Sequence, residues 1–248
     1  MKRKKFNQLL FGIGLGTSLL PHYLYSTKKT SNKFDYLLGK SQQHLVEYQS
    51  HLVEKQTLSA YLNMKADALR EGIELSIASA FRSFERQQLI FEKKYKDYIQ
   101  TSNSNLEAVQ KITTYSSIPG TSRHHWGTDI DLIDLSVDLP KNDLLSEKHY
   151  LDNGVFNKMY QWMQENANRY GFVETYPNNH KQRKGFYFEP WHYSYQPVSK
   201  ENLYQYTSNQ LIKRVMGENI LGLKNLPDHF FENYQKEFIL GIHQNLLP

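Results

Sequence analysis

Cysteine is absent from this 248-residue chain. That excludes disulfides, thiolate metal sites and a cysteine nucleophile together. Any metal must therefore be held by His, Asp and Glu. The helical zinc-protease pattern H-E-x-x-H is missing as well. Of the elements used by serine-type acyl-enzyme hydrolases, K-T-G is missing, and Ser26-Thr27-Lys28-Lys29 matches S-x-x-K only beside the N-terminal leader. Gly120-Thr121-Ser122-Arg123-His124 lacks the last glycine of a nucleophile elbow. The chain also has no internal repeat and no low-complexity tract. Its 39% hydrophobic and 14% aromatic content suffices for a packed core in one decorated domain or two small ones.

Acidic residues are missing from one stretch in particular. Residues 1–29 hold six of the 30 basic residues (Lys2, Arg3, Lys4, Lys5, Lys28 and Lys29) and none of the 25 acidic ones. The formal charge of +5 thus leaves the rest of the chain at −1, so the basic balance gives no support to nucleic-acid binding. Lys2 to Lys5 precede a mostly apolar run from Phe6 to Leu20, ended by Pro21. The run falls short of the roughly 20 apolar residues of a bilayer span and has the length of a signal-peptide core. Export to the periplasm or cell envelope is the expectation. Leu24-Tyr25-Ser26 is a poor cleavage site, so a retained N-terminal membrane anchor is the alternative, and Arg3-Lys4-Lys5-Phe6 is weakly twin-arginine-like.

Beyond the leader, apolar residues from Asp35 to about Glu71 recur at helical spacing and predict about two helices. Ile73 to Ala78 reads as a buried strand, and Ser83 caps a helix through Gln87, Leu89, Ile90 and Tyr95. A short helix follows near Leu106 to Ile112, then a loop from Ser116 to Gly127. Asp129 to Leu135 alternates as a strand. Phe156 to Tyr170 is an amphipathic helix closed by Gly171. Phe172 to Tyr176 is a strand, Pro177 to Lys184 a polar turn, and Gly185 to Tyr195 one half of an aromatic hairpin. The tail is expected to be helical in two pieces, Ser208 to Met216 and Asp228 to Ile242. This order gives an α+β fold with a small antiparallel sheet flanked by helices, and additional N- and C-terminal helices.

Three clusters carry chemistry. They are Ser79-Ala80-Phe81-Arg82-Ser83 with Gln87 beyond it, Ser122-Arg123-His124-His125-Trp126-Gly127-Thr128-Asp129-Ile130-Asp131, and Glu189-Pro190-Trp191-His192-Tyr193. A catalytic zinc takes three protein ligands and keeps one position open. His124, Asp131 and His192 can supply two imidazoles and a carboxylate. Glu189, three residues before His192, is placed to move the proton of a water. Pro190 between them excludes a regular helix, so a bend must set that geometry. Each cluster also has a plainer reading. Adjacent histidines in a loop are usually surface features, Asp129 and Asp131 could line a solvated strand face, and Glu-Pro-Trp-His could be a packed aromatic turn.

Together, the three clusters resemble the signature of the zinc D-Ala-D-Ala carboxypeptidase family, which includes VanY-type carboxypeptidases, VanX-type dipeptidases and L,D-carboxypeptidases (the LAS metallopeptidases). That signature is S-G-Y-R-S with a later Gln, then S-x-H-x-x-G-x-A-x-D, then E-P-W-H. The likeness runs from about Ser76 to Gln196, roughly half of the chain, with matching order and spacing. It implies a LAS-type fold with one zinc on His124, Asp131 and His192, and Glu189 as general base. Arg82 is then the group that stabilises the oxyanion, and Gln87 and Ser122 help Arg82 hold the substrate peptide. His125 is the rival to His124, and the family spacing favours His124. The implied activity is D-Ala-D-Ala carboxypeptidase action on peptidoglycan stem peptides. An L,D-carboxypeptidase, a dipeptidase, a crosslink endopeptidase or a non-catalytic peptidoglycan-binding module are the alternatives. The expected organisation is a leader (1–29), a zinc peptidase domain (30–198) and a C-terminal helical extension (199–248) that could cover the cleft. Two departures stand out: Ala80-Phe81 replaces Gly-Tyr, and Asp129 stands where the signature has Ala.

Overall fold

The computed structural model describes residues 32–178 and 183–248. The leader, and residues 179–182 of the expected polar turn, lie outside the described residues. Residues Asn32–Pro248 make one compact unit. Among the described residues, no helix is long and apolar enough to cross a membrane.

The chain enters through a short hairpin, β1 (Leu45–Tyr48) and β2 (His51–Glu54), paired antiparallel with Val46 opposite Val53. Leu45 and Val46 were expected in a helix. The hairpin wins because it has a surface to cover: the Glu54 amide donates to the Gly127 carbonyl at 2.9 Å, and Leu45 lies against Gly127. Glu54 then caps α1 (Lys55–Arg70), its carboxylate accepting from the amides of Gln56 at 3.0 Å and Thr57 at 2.8 Å. Thr57, Tyr61, Met64 and Ala68 form the buried stripe of that helix.

The main sheet has the strand order β3 (Leu75–Ser79), β4 (Asp129–Asp134), β6 (His192–Tyr195), β5 (Phe172–Glu174), each neighbour antiparallel. Between β3 and β4 come α2 (Phe84–Tyr98), capped by the Ser83 hydroxyl as expected, and α3 (Asn105–Thr113). Helix α4 (Asn157–Asn166) closes through a tight turn at Gly171, whose φ is +81°. Only His192–Tyr195 of the expected strand Gly185 to Tyr195 pairs, since Pro190 has no N–H for a ladder.

Side chains alternate across a strand, so the central pair has two unlike faces. Ile130, Leu132 and Tyr193 enter an apolar core with Tyr61, Met64, Met159 and Trp162 from α1 and α4. Asp129, Asp131, His192 and Ser194 point the other way, and all four are buried. The reading of these aspartates as a solvated strand face is thereby corrected.

The tail folds as α5 (Gln196–Ser208), α6 (Ile212–Met216) and α7 (Asp228–Tyr234), the last continuing as a wider turn to Ile239. Helix α5 was not legible because Ser199 and Asn202 share its buried face with Leu203 and Tyr206. These helices build a second core with Phe84, Phe91, Val109, Ile112 and Trp126. They support the loop from Ser116 to Gly127 from behind: the Tyr206 hydroxyl donates to the Gly120 carbonyl at 3.1 Å, and the Tyr234 hydroxyl accepts from the Ile118 amide at 3.1 Å. Contrary to the expectation of a cover, no described residue after His192 lines the cleft that holds the motifs.

Gly127 sits where β2 meets the histidine turn, with φ +69°, and a Cβ there would lie 2.4 Å from Leu45 Cδ2 and 2.9 Å from the Glu54 nitrogen. Strain and overpacking together place the cost of Gly127→Ala at roughly 3 kcal/mol. Thermal unfolding is expected to show a fall of several degrees in Tm, and an unchanged Tm would contradict the clamp.

Candidate metal centre

The register of β4 against β6 sets Asp131 directly opposite His192 and Asp129 opposite Ser194. Directly opposed residues share a face and stand within side-chain reach. His124 comes from a separate element, the short turn Arg123–Trp126. Trp126 anchors that turn by donating from its indole to the Leu37 carbonyl at 3.0 Å. The two imidazole rings lie 4.7 Å apart. One ligand atom from each of His124, Asp131 and His192 falls within 4.8 Å of the others, and all three residues are buried.

Hydrogen bonds decide which nitrogens face inward. His124 Nδ1 donates to the Ala80 carbonyl at 2.8 Å, leaving Nε2 3.5 Å from Asp131 Oδ2. His192 Nε2 donates to Asp129 Oδ1 at 3.1 Å, leaving Nδ1 3.5 Å from Asp131 Oδ1. His124 Nε2, His192 Nδ1 and the Asp131 carboxylate thus converge on one point. Asp131 Oδ1 is buried and has no hydrogen-bond partner among the described residues. Burial pushes the Asp131 carboxyl up to about 7. His192 shows the same demand for positive charge: burial lowers it, but Asp129, Glu189 and Asp131 together raise it to about 10. A divalent cation answers both, and the donor set of two imidazoles, one carboxylate and no sulfur is a zinc set with a position left open.

Glu189 stands outside that triad. Its Oε2 is 3.0 Å from His192 Nδ1, and its side chain is 26% exposed, whereas the three donors are almost wholly covered. The bend required by Pro190 is a tight turn closed by the His192 amide donating to the Glu189 carbonyl at 3.1 Å. The Leu132 amide then ties Trp191 to the sheet at 3.0 Å. Trp191 rests on Tyr150, as the packed-turn reading expects, while Glu189 faces the cleft.

Arg82 and Ser122 line the same cleft, of about 200 Å³, as the triad and Glu189. Gln87 does not. It is fully buried, its carbonyl oxygen accepts from Arg82 Nη1 at 2.9 Å, and its amide donates to the Ser117 carbonyl at 2.7 Å. Gln87 therefore stands behind Arg82 and bonds its guanidinium, rather than forming part of the cleft wall. His125 is also settled by its contacts. Its Nδ1 donates to the Arg82 carbonyl at 2.6 Å and its Nε2 accepts from the Gly120 amide at 3.0 Å. Burial lowers it to about 4, so it stays neutral and keeps both roles. It joins two loops and has no lone pair left for a metal. Sequence reasoning passed over Ser116, Ser117 and Tyr176 as cleft walls, and Arg123 as the partner of Asp129. None of these carries a pattern of its own in the sequence.

The family model described as "VanY: D-alanyl-D-alanine carboxypeptidase" matches residues 50–198. A D-alanyl-D-alanine carboxypeptidase of Enterococcus faecalis is 32% identical over 139 residues, covering 56% of this chain and 46% of that protein. The putative carboxypeptidase YodJ of Bacillus subtilis is 29% identical over 147 residues, covering 59% of this chain and 47% of that protein. The chain therefore spans about half the length of the curated relatives it matches. A solved structure of a variant of the vancomycin-resistance D,D-pentapeptidase VanY in complex with Zn(II) is 25% identical, with a TM-score of 0.47 over 62% of this chain and 81% of that one.

The geometry predicts one zinc per purified chain. His124→Ala, Asp131→Ala and His192→Ala are each expected to abolish stoichiometric uptake in equilibrium dialysis. His125→Gln is expected to retain it, and a His125 variant that loses the metal while folded would overturn the assignment of ligands.

Proposed function

The chain belongs to the VanY family of D-alanyl-D-alanine carboxypeptidases, and from that premise we propose that it is a zinc-dependent carboxypeptidase acting on peptidoglycan. Its substrate in this reading is a stem peptide ending in D-Ala-D-Ala, from which it removes the last residue. The observation that carries the reading is the convergence of His124 Nε2, His192 Nδ1 and Asp131 in one cleft with Glu189 and Arg82. The relatives named above as carboxypeptidases support the reaction class. The basic and then apolar leader supports export to the envelope, where such a substrate lies.

Zinc, when bound, supplies Lewis acidity toward a carbonyl oxygen and acidifies a water. The residues do the rest. Glu189, partly exposed at the mouth of the triad, accepts the proton of the attacking water and hands it to the leaving amine. Arg82 presents a fixed guanidinium to the carbonyl oxygen as it gains negative charge. Its direction is set by Gln87, so the donor is aligned before the substrate arrives. Ser122 lies beside His124 in the wall of the cleft and is available to a substrate carbonyl or amide. The choice among D,D-carboxypeptidase, L,D-carboxypeptidase, dipeptidase and endopeptidase action rests on the walls formed by Tyr115, Tyr176 and Phe186.

Mass spectrometry of purified muropeptides, incubated with and without a chelator, tests the reading. Loss of one D-alanine from pentapeptides, abolished by chelation, is the expected result; trimming of tetrapeptides or cleavage of crosslinked dimers instead would reassign the specificity, and no turnover by the zinc-loaded protein would refute catalysis. Glu189→Ala is expected to retain zinc while losing activity by about 10²–10⁴-fold, the usual contribution of a general base. Gln87→Ala is expected to lower kcat more than it raises KM, because Arg82 loses its alignment rather than the cleft its shape. A change confined to KM would contradict that role.

A further inference from the structure

Asp129 lies two residues before the proposed ligand Asp131, on the same face of β4, and is completely buried. The signature to which these clusters conform has Ala at this position, so the carboxylate is a feature of this chain that the proposed reaction does not yet use. Its surroundings account for both of its oxygens. Oδ1 accepts from Arg123 Nε at 2.8 Å and from His192 Nε2 at 3.1 Å. Oδ2 accepts from the Thr128 hydroxyl at 2.9 Å and the Ser194 hydroxyl at 3.0 Å. Ser194 Oγ in turn accepts from Arg123 Nη2 at 2.7 Å, and the guanidinium lies over the Trp126 ring at 4.8 Å from its centroid. Four donors from four residues hold the carboxylate as an anion in one orientation.

We propose that Asp129, locked by Arg123, Ser194 and Thr128, is a positioning residue that fixes His192 as a metal ligand through Nδ1. The proposal rests on the reading of His192 as a zinc ligand. An imidazole offers a lone pair on one nitrogen only when the other carries the proton, and the acceptor behind the ring sets which nitrogen that is. In this site the acceptor behind the ring is Asp129, which leaves Nδ1 toward Asp131 Oδ1 at 3.5 Å and Glu189 Oε2 at 3.0 Å, the side on which the metal would sit. The same four bonds explain why Asp129 is not itself a ligand. Each of its oxygens already accepts two hydrogen bonds, whereas Asp131 Oδ1 has no partner among the described residues. Arg123 has a second consequence. It balances the charge of Asp129, so the relay orients His192 without adding net negative charge behind the metal. Removing Asp129 would leave the His192 Nε2 proton buried with no acceptor, free to move to the nitrogen that the metal needs.

The test compares the full-length wild type with Asp129→Ala and Asp129→Asn. Zinc affinity is measured by competition with a chromophoric chelator, ligand geometry by the visible absorption of the Co(II)-substituted protein, and folding by thermal melting of the metal-free forms. Asp129→Ala is expected to weaken zinc binding by about 10–100-fold, the usual effect of losing the partner of a ligating histidine. The cobalt bands are expected to shift, and Asp129→Asn should lie between. A purely structural role would lower the melting temperature of the metal-free protein and leave affinity and cobalt bands as in the wild type, which would overturn the proposal. If Asp129→Ala does not fold, wild-type affinity in Asp129→Asn overturns it equally. Failure of the wild type to bind zinc would refute the metal reading itself, an outcome distinct from equal binding by wild type and variant.

Discussion

The cross-strand pairing of Asp131 with His192 is the constraint on which the site depends. The two residues lie 61 positions apart in sequence and meet only because β4 and β6 run antiparallel in one register. A one-residue slip of either strand would turn its own ligand, Asp131 or His192, onto the apolar face and break the pair. What prevents the shift is the core on the other side, where Ile130, Leu132 and Tyr193 pack on α1 and α4. The tight turn at Pro190 adds to this by fixing where β6 begins. Packing energy on one face of the sheet thus sets the positions of the donor atoms on the other.

His124 reaches the same point by a different route, and more of the molecule is spent on holding it. Its turn is pinned by Trp126 to Leu37, covered at Gly127 by β1 and β2, and joined by His125 to the loops around Arg82 and Gly120. The C-terminal helices complete the support through Tyr206 and Tyr234. These contacts also align Arg82, whose backbone amide donates to the His124 carbonyl at 3.1 Å. The His124–Asp131–His192 triad and the Arg82 guanidinium are therefore braced as one unit, as the proposed reaction requires of groups that must be in place before the substrate arrives.

Much of this was legible in the sequence, for reasons that can be named. Strands β3 and β4, helices α2, α3 and α4, and the Ser83 cap follow from local periodicity and capping chemistry. The triad was legible because three spaced clusters resemble a family signature, which implied His124, Asp131 and His192 as ligands and favoured His124 over His125. The failures share a cause as well. Leu45 and Val46 form a strand because of what they cover, and α5 buries Ser199 and Asn202, so neither obeys a pattern internal to its own segment. Gln87 and Asp129 were visible as residues, but their roles depend on partners remote in sequence, Ser117 for the first and Ser194 for the second.

Zinc K-edge X-ray absorption of the native full-length protein tests the central claim most directly. The account predicts a single zinc with a first shell of nitrogen and oxygen at about 2.0–2.2 Å and the outer-shell signature of two imidazole rings. A shell without imidazole scattering, or one requiring three rings, would contradict it.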